Sequence, residues 1–442
     1  MKIPVLIIIL LLSTSHLTLE AQEIYDLKRC LETGLIRNFD VRIVKNSQQI
    51  SDNNATIGNA GYLPTVNLQS NYSGTFANMQ RQYPSDGSPV IENHNILNQT
   101  LDAGIYLNYT LFDGLNIQTN YNKLKELREK GQLQTQWQIE NFIAELCAEY
   151  YNYIQQNIRL NNLKSTLSLS KERLRIVESQ YTIGSMSRLN FQQAKVDFNA
   201  DSSKLVKQQE VLFASAVKLN QLMSNDILEQ AISTSDTNIV LKAILEKESL
   251  WQKTLEHNAF LLLAENDIDV SVLELKNLQS ANYPYLRINA GYGYTYNTYQ
   301  ASTYRKQNNL GLSYGLTFGI NLFDGMNRSR LQTNTKIEIE NKKLEYEKLL
   351  LNIKSEFTNI WMAYINNLGL IELEEDNLKT AKETYNIAID QYKLGSLSGI
   401  ELREAQNSLL EAEERYIQAL YNTKLCEISL LQISGQIENY VL

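Results

Sequence analysis

The sequence predicts a mainly α-helical protein with a membrane β-barrel, in which a unit of two strands, one long helix and one returning helix occurs twice. Two short patterns recur 211 residues apart. Leu111-Phe112-Asp113-Gly114 recurs at Leu322-Phe323-Asp324-Gly325, and Tyr181-x-x-Gly184-Ser185 recurs at Tyr392-x-x-Gly395-Ser396. A period of two before each first pattern indicates strands, and the helical spacing after it indicates a long helix.

The amino terminus is typical of a secretory signal peptide. Lys2 precedes an apolar run from Ile3 to Leu12, and Ala21 follows at a position suited to cleavage, so we expect residues 1–21 to be removed. The run is shorter than a membrane-spanning helix requires, and no later segment approaches one. We therefore expect any membrane crossing to use strands.

The overall composition argues against several classes of protein. A net charge of −8 and a pI near 5.3, without a basic stripe, disfavour a partner that is a nucleic acid. The cysteines and histidines share no ligand spacing, so we expect no disulfide framework, no metal site, no cofactor and no enzyme activity. These residues are Cys30, Cys147, Cys426, His16, His94 and His257.

The first copy of the unit is expected to occupy residues 22–239. Apolar spacing predicts one helix from Ile24 to about Gly61, which Pro64 ends. The polar residues from Met79 to Gln99 predict a long loop between two strands. The predicted elements are strands at about 64–77 and 100–113, a long helix at about 115–182 and a return helix at about 187–223.

The second copy is expected to occupy residues 240–442. Asn258 and Pro284 repeat Asn38 and Pro64 of the first copy, which places both prolines at equivalent helix-to-strand joints. The predicted elements are strands at about 285–297 and 309–323, a long helix at about 326–393 and a return helix at about 398–433.

The predicted strands have the length that a membrane barrel needs. About a dozen residues rise roughly 40 Å, and a tilt near 40° reduces that to about 30 Å, the hydrocarbon thickness. Four strands cannot close a barrel, because the smallest membrane barrels need about eight, so several chains are expected to share one. The alternative is a soluble sandwich of apolar faces. Tyrosines clustered at one end of the third strand favour the membrane.

These features together resemble the outer-membrane efflux protein family, the TolC-like channels. The resemblance covers nearly the whole mature chain and rests on the paired hairpins, Pro64 and Pro284, and the two duplicated patterns. It implies a TolC-like homotrimeric channel with a shared twelve-stranded barrel in outer-membrane lipid and a helical tunnel in the periplasm. It also implies docking to a periplasmic adaptor (membrane fusion) protein and an inner-membrane transporter.

The function that the resemblance implies is the outer-membrane exit duct of a tripartite efflux or type I secretion system. Such a duct is passive, and its partners open a periplasmic gate. The alternative from another class is a soluble periplasmic or surface coiled-coil interaction protein with a β cap. These residues do not identify the exported substrate, because the transporter selects it.

The resemblance also assigns candidate gate residues. In the family, two acidic residues follow the second Tyr-x-x-Gly turn and ring the periplasmic entrance of the tunnel. The matching positions in this sequence are Glu401 and Glu404. A family tyrosine at the position of Tyr392 bonds to an acidic residue whose place Asn190 takes, and this bond holds the closed state. Leu397 stands where the best-known gate has an arginine. The other interpretation of the glutamates is a solvated helix start, which suits the helix dipole.

The two Gly-Ser turns that follow the long helices, here called the tips, are candidate turn and adaptor-contact residues. Gly184 and Gly395 are expected to permit a tight reversal of the chain, each followed by a serine, Ser185 or Ser396.

Overall fold

The computed structural model describes residues 24–82, 84, 87–241 and 245–438, so the expected signal peptide lies outside the described residues. The chain forms two compact units. The tip unit comprises residues up to Val41, Ile139–Gln252 and residues from Phe357, and the sheet unit comprises Arg42–Gln138 and Lys253–Glu356. Each unit contains segments of both sequence copies.

The sheet unit is built around four antiparallel strands. They are β2 (Thr65–Arg81), β3 (Ile91–Asp113), β5 (Tyr285–Thr298) and β6 (Lys306–Gly319), and they lie in the order β2-β3-β5-β6. The two hairpins pair through β3 and β5, where Gln99 lies opposite Thr298. One edge of β2 and one edge of β6 have no strand partner in the described chain.

Two strand predictions are wrong in their extent. Most of the loop expected from Met79 to Gln99 is strand, because β2 and β3 continue to pair as far as Arg81 and Ile91. Backbone hydrogen bonds form this ladder whatever the polarity of the side chains. The last strand ends at Gly319 rather than near residue 323, because its partner β5 begins at Tyr285, directly opposite Gly319. β6 has no neighbour to pair with beyond that point.

The long and returning helices begin and end within one residue of the predicted positions. The two long helices have 67 residues each, which corresponds to roughly 100 Å, and the two returning helices have 35 each. Within the described part of the chain, no helix is both long enough and apolar enough to cross a membrane. These helices are α4 (Asn116–Thr182), α5 (Arg188–Leu222), α8 (Asn327–Lys393) and α9 (Gly399–Ile433).

The prediction of one helix from Ile24 to Gly61 is wrong, because the chain breaks at Asn38. The Asn38 Oδ1 atom accepts hydrogen bonds from the backbone N–H groups of Asp40 and Val41, and its Nδ2 donates to Leu222 O. The side chain therefore replaces helical backbone bonds. Asn258 breaks the second copy in the same way. The remaining elements are β1 (Ile24–Tyr25), α1 (Leu27–Arg37), α2 (Phe39–Asn54), α3 (Ile57–Ala60), β4 (Ser233–Thr234), α6 (Lys247–His257) and α7 (Ala259–Ser280).

An apolar core holds the tip unit together where α1, α4, α5, α8 and α9 meet. Its most deeply buried side chains include Leu146, Tyr150, Leu219, Phe357 and Leu430. The Tyr150 hydroxyl donates to Asp236 Oδ2 at 2.8 Å, so the polar end of this buried ring is satisfied.

The chain passes from β3 into α4, and from β6 into α8, through turns that explain the first duplicated pattern. Gly114 and Leu115 have φ values of 71° and 70°, so the chain passes through two consecutive left-handed residues. The Asp113 carboxylate then accepts a hydrogen bond from Ile117 N at 3.2 Å and caps α4. Asp324 caps α8 in the same way. The motif is thus a local device for ending a strand and starting a helix.

Candidate functional site

The two turns at the ends of the long helices have the same geometry. Gly184 has a φ of 79° and its N–H donates to Tyr181 O, while Ser185 N donates to Gln180 O at 2.9 Å. This is the bond pattern of a left-handed glycine cap at a helix C-terminus. The Ser185 hydroxyl also donates to Gln180 O. The second turn repeats every one of these bonds around Gly395 and Ser396.

The helices after the turns, α5 and α9, begin with serine caps, but only the cap of α9 also contains a carboxylate. Ser187 accepts a hydrogen bond from Asn190 N at 3.2 Å. Ser398 accepts one from Glu401 N, and the Glu401 carboxylate accepts bonds from Ser398 N at 2.9 Å and Ser398 Oγ at 2.7 Å. These bonds lower the pKa of Glu401 and complete a capping box. The Glu401 carboxylate therefore stabilises the start of α9.

We expect replacement of Ser398 by Ala to destabilise the chain more than replacement of Glu401 by Gln. Loss of the serine removes the acceptor for the helix N–H and should cost about 1 kcal/mol. A glutamine at 401 can still accept the bond from Ser398 N, so it should cost less. Thermal unfolding of both variants, with Ser187→Ala as the matched cap of the other copy, measures the difference. A larger loss for Glu401→Gln would contradict the capping role.

A cavity of about 880 Å³ lies beside the turns within the tip unit. Glu404 lines it, whereas Glu401 does not. Asn407 and Glu411 follow Glu404 on the same face of α9, at the three- and four-residue spacing of a helix, and line the cavity as well. The structure thus separates the two predicted gate glutamates, one in a local cap and one facing open space.

Tyr392 also lines this cavity, but it does not bond to Asn190. Within the described residues, the buried Tyr392 Oη atom has no hydrogen-bond partner. The Asn190 Nδ2 atom instead contacts Met186 Sδ at 3.0 Å. Burial raises the pKa of the Tyr392 phenol, and the positive charge of Arg173 opposes that rise. The expected Tyr392–Asn190 bond is absent from this single chain.

Two arginines beside the same cavity form ion pairs that the sequence did not predict. Arg403 binds Asp201 with two hydrogen bonds of 2.6 and 2.7 Å, and Arg173 pairs with Asp197. Burial acts to raise the pKa of Asp201, but hydrogen bonds from Arg403 and Ser170 outweigh it, and the pKa lies below its usual range. Their partners lie up to 202 residues away, so no spacing pattern reveals these pairs.

The described residues offer no obvious metal site. No group of three or more histidine, cysteine or acidic side chains within the described ranges is arranged to hold a metal ion. The cavity lining combines apolar side chains with two glutamates, two arginines held in ion pairs, and a tyrosine hydroxyl that has no partner within the described residues.

Comparison with known proteins finds similarity along most of the chain. The family model described as "Outer membrane efflux protein" matches residues 31–225 and 250–436. Among curated proteins, the outer membrane protein TolC of Vibrio cholerae serotype O1 is 19% identical over 389 residues, which cover 86% of this chain and 84% of that protein.

Solved structures show the same fold. A membrane protein from Pseudomonas aeruginosa superposes with a TM-score of 0.77 at 16% identity, covering 92% of this chain and 90% of that one. The outer membrane protein VceC from Vibrio cholerae superposes with a TM-score of 0.73 at 15% identity, covering 92% and 96%. The predicted fold class is confirmed: the chain is mainly helical with a small sheet, like these membrane proteins.

Proposed function

Because the chain belongs to the outer membrane efflux protein family, we infer that it is an outer-membrane efflux duct, and we propose that it acts as a homotrimer in a tripartite efflux or type I secretion system. The family description names an efflux protein, so we propose that the chain transports a substrate and catalyses no reaction. The observation that carries the trimer proposal is that one edge of β2 and one edge of β6 have no strand partner within the described residues.

The sheet edges require partners if the strands lie in lipid. Unpaired backbone N–H and C=O groups are costly there, so a spanning sheet must close on itself. Three copies provide twelve strands, with β2 of one copy beside β6 of the next. One face of these edge strands suits lipid, because large apolar side chains at alternate positions along each strand point to it and are exposed in the single chain. They are Val66, Leu68, Tyr72, Phe76, Leu310, Leu312, Tyr314, Leu316 and Phe318.

The tip unit also has apolar helix faces that neighbouring copies would cover. Val206 and Phe213 are exposed on α5, seven residues apart. Met362, Leu373 and Ile387 are exposed on α8. Contact between these faces in adjacent copies would bury them and would form a helical tunnel in the periplasm.

The turns support the proposed contact with a periplasmic adaptor protein that bridges to an inner-membrane transporter. Ile183 and Leu394 precede the turn glycines at matching positions and are 79% and 84% exposed. Apolar side chains presented this way on rigid turns suit a docking contact. Gly184, Ser185, Gly395 and Ser396 hold the turns in this form.

The entrance proposal concerns Glu401, Glu404, Tyr392 and Asn190. In a trimer, three copies of α9 bring six carboxylates to the mouth of the tunnel, and a ring of carboxylates favours cations. Glu404 faces the cavity, so its charge acts on a passing ion more directly than the capped Glu401 does. Tyr392 and Asn190 remain the candidate closing contact, since both line the cavity and the Tyr392 Oη atom has no hydrogen-bond partner within the described residues.

Replacing Glu404 with Gln is expected to reduce cation preference and divalent-cation block. The variant removes three carboxylates from the trimer, while Glu401→Gln, the matched control on the same helix turn, removes three that are already bound in caps. Reversal potentials in planar bilayers with a salt gradient, and conductance with added Mg²⁺, measure both effects. We expect a clear shift for Glu404→Gln, a small one for Glu401→Gln, and the largest for the double variant. An unchanged double variant would exclude both residues from the gate.

The duct itself is tested by its solution behaviour. We expect the purified chain to require detergent, to have the mass of three chains by light scattering, and to migrate as a heat-sensitive trimer on a gel. A monodisperse monomer that is soluble without detergent would favour the coiled-coil interaction protein instead.

A further inference from the structure

We propose that Asp102 and Arg287, here called the lumen charges, determine the charge selectivity of the barrel, so that it favours solutes that are uncharged or carry both signs. The inference rests on the proposed trimeric duct, in which the polar face of the sheet lines the lumen. It assigns specificity-determining residues within the sheet unit, in addition to the candidate glutamates of the entrance.

The polar face of the sheet carries very little charge. Successive residues of a strand point to opposite faces, and the register places one polar set on the same face of all four strands. Asp113, at the end of β3, caps α4. Asp102 and Arg287 are the only charged side chains on this face along the described segments 65–77, 100–110, 285–297 and 307–319.

The Asp102 carboxylate is held in one orientation by two hydroxyl groups. Its Oδ2 atom accepts a hydrogen bond from Tyr106 Oη at 2.7 Å, and its Oδ1 atom accepts one from Thr295 Oγ1 at 2.7 Å. Thr295 lies directly opposite Asp102 on β5. Both donors are neutral, so the carboxylate keeps its full negative charge on the polar face.

The Tyr106 ring lies against the sheet, over glycines. A Cβ atom at Gly291 would lie 2.6 Å from Tyr106 Cδ1, and one at Gly104 would lie 3.2 Å from its Cζ. Any side chain at these positions would push the ring away from the sheet. The glycines therefore let Tyr106 lie along the wall, where it supports Asp102 without crossing the lumen.

Arg287 is supported by a second tyrosine that lies over a glycine. Its guanidinium group lies 4.5 Å from the centroid of the Tyr285 ring, within the range of a cation–π contact. A Cβ atom at Gly319 would lie 2.5 Å from Tyr285 Cζ, so this ring also lies close against the sheet. The same arrangement thus supports two charges of opposite sign.

The lumen charges are too far apart to neutralise each other. Arg287 lies opposite Thr110, which is eight residues from Asp102 along β3. Eight residues rise roughly 26 Å, and a tilt near 40° reduces this to about 20 Å along the barrel axis. The Debye length is about 10 Å at 0.1 M salt, so each charge acts on its own part of the barrel.

Three copies would give two rings of opposite charge. The arginine ring lies at the end of the sheet where the long helices begin, and the carboxylate ring lies farther from those helices. An ion of either sign is attracted by one ring and repelled by the other. An uncharged or zwitterionic solute meets no such net barrier, which defines the class of solute that the barrel favours.

The test is the reversal potential of full-length trimers in planar bilayers with a KCl gradient. All variants carry Glu404→Gln, so that the charge of the proposed entrance does not mask the barrel. We expect Asp102→Asn to lower the K⁺/Cl⁻ permeability ratio about twofold and Arg287→Gln to raise it about twofold, because three screened charges about 10 Å from an ion act on it weakly. Both shifts should disappear near 1 M salt, where the Debye length is about 3 Å.

Two control variants separate charge from structure. Tyr106→Phe removes one bond to Asp102 but keeps its charge, so we expect no shift. Lys306→Gln removes the same charge as Arg287→Gln, but Lys306 belongs to the opposite face of β6 from Gln307, so we again expect no shift. The zwitterionic amino acid glycine should enter liposomes at the same rate through every variant.

The remaining outcomes contradict the proposal in distinct ways. Intact trimers with an unchanged permeability ratio in both charge variants would overturn it, as would shifts of the same sign. An equal shift in Tyr106→Phe, or an altered rate of glycine entry, would mean that the bore has changed shape and would overturn it too. If one charge variant does not assemble, the other decides. A wild-type chain that forms no pore would refute the duct itself, whereas a pore without these shifts would refute only the lumen charges.

Discussion

Replacement of Gly114 by Ala is expected to prevent accumulation of the folded protein. A Cβ atom at this position would overlap Ser280 O and would lie 2.9 Å from Tyr283 Cβ. The backbone oxygen at the end of α7 cannot rotate away as a side chain can. The left-handed φ of 71° adds roughly 1–2 kcal/mol for any residue with a Cβ, and the overlap adds about 1–3 kcal/mol.

The matched control for this prediction is Gly184→Ala. Gly184 has a similar φ of 79°, but no atom of the described residues lies within 4 Å of the position its Cβ would take. It therefore incurs only the left-handed cost. Thermal unfolding and the yield of heat-sensitive trimers compare the two variants. Equal losses would mean that the contact with Ser280 is not what requires glycine at position 114.

Replacement of Leu312 by Lys is expected to prevent insertion, whereas Ser313→Lys is expected to be tolerated. Leu312 lies in the middle of β6 and is 69% exposed in the single chain, on the face that we assign to lipid. A lysine near the middle of the bilayer costs roughly 2–4 kcal/mol in each copy. The neighbouring Ser313 points to the opposite face, where its hydroxyl donates to Gly291 O at 3.3 Å, and a lysine there would face water in the duct.

The amount of trimer in the outer-membrane fraction distinguishes the two lysine variants. Loss for Leu312→Lys with normal levels for Ser313→Lys supports the orientation of the sheet. The reverse result would place the polar face against lipid. Normal, soluble behaviour of both variants would favour a β cap outside the membrane, since a solvated sheet tolerates lysine on an exposed edge.

The candidate site was only partly predictable from the sequence. The turns at Gly184 and Gly395 were, because a left-handed glycine cap depends on a few adjacent residues. The separate environments of Glu401 and Glu404 were not. Both lie on the first turns of one helix, and only the packed structure shows that Ser398 binds the first and that the second faces a cavity.

The sequence alone was enough to predict the duplicated unit, the ends of the long helices and the family. Proline, the capping aspartates and the turn glycines act on their immediate neighbours, so their spacing carries this information directly. Features that depend on a partner far away in the sequence became visible only in the folded chain. β6 ends at Gly319 because β5 begins at Tyr285, and Arg403 is held by Asp201 because α9 packs on α5. Such contacts depend on which surfaces meet in space, and this is not encoded in any local pattern.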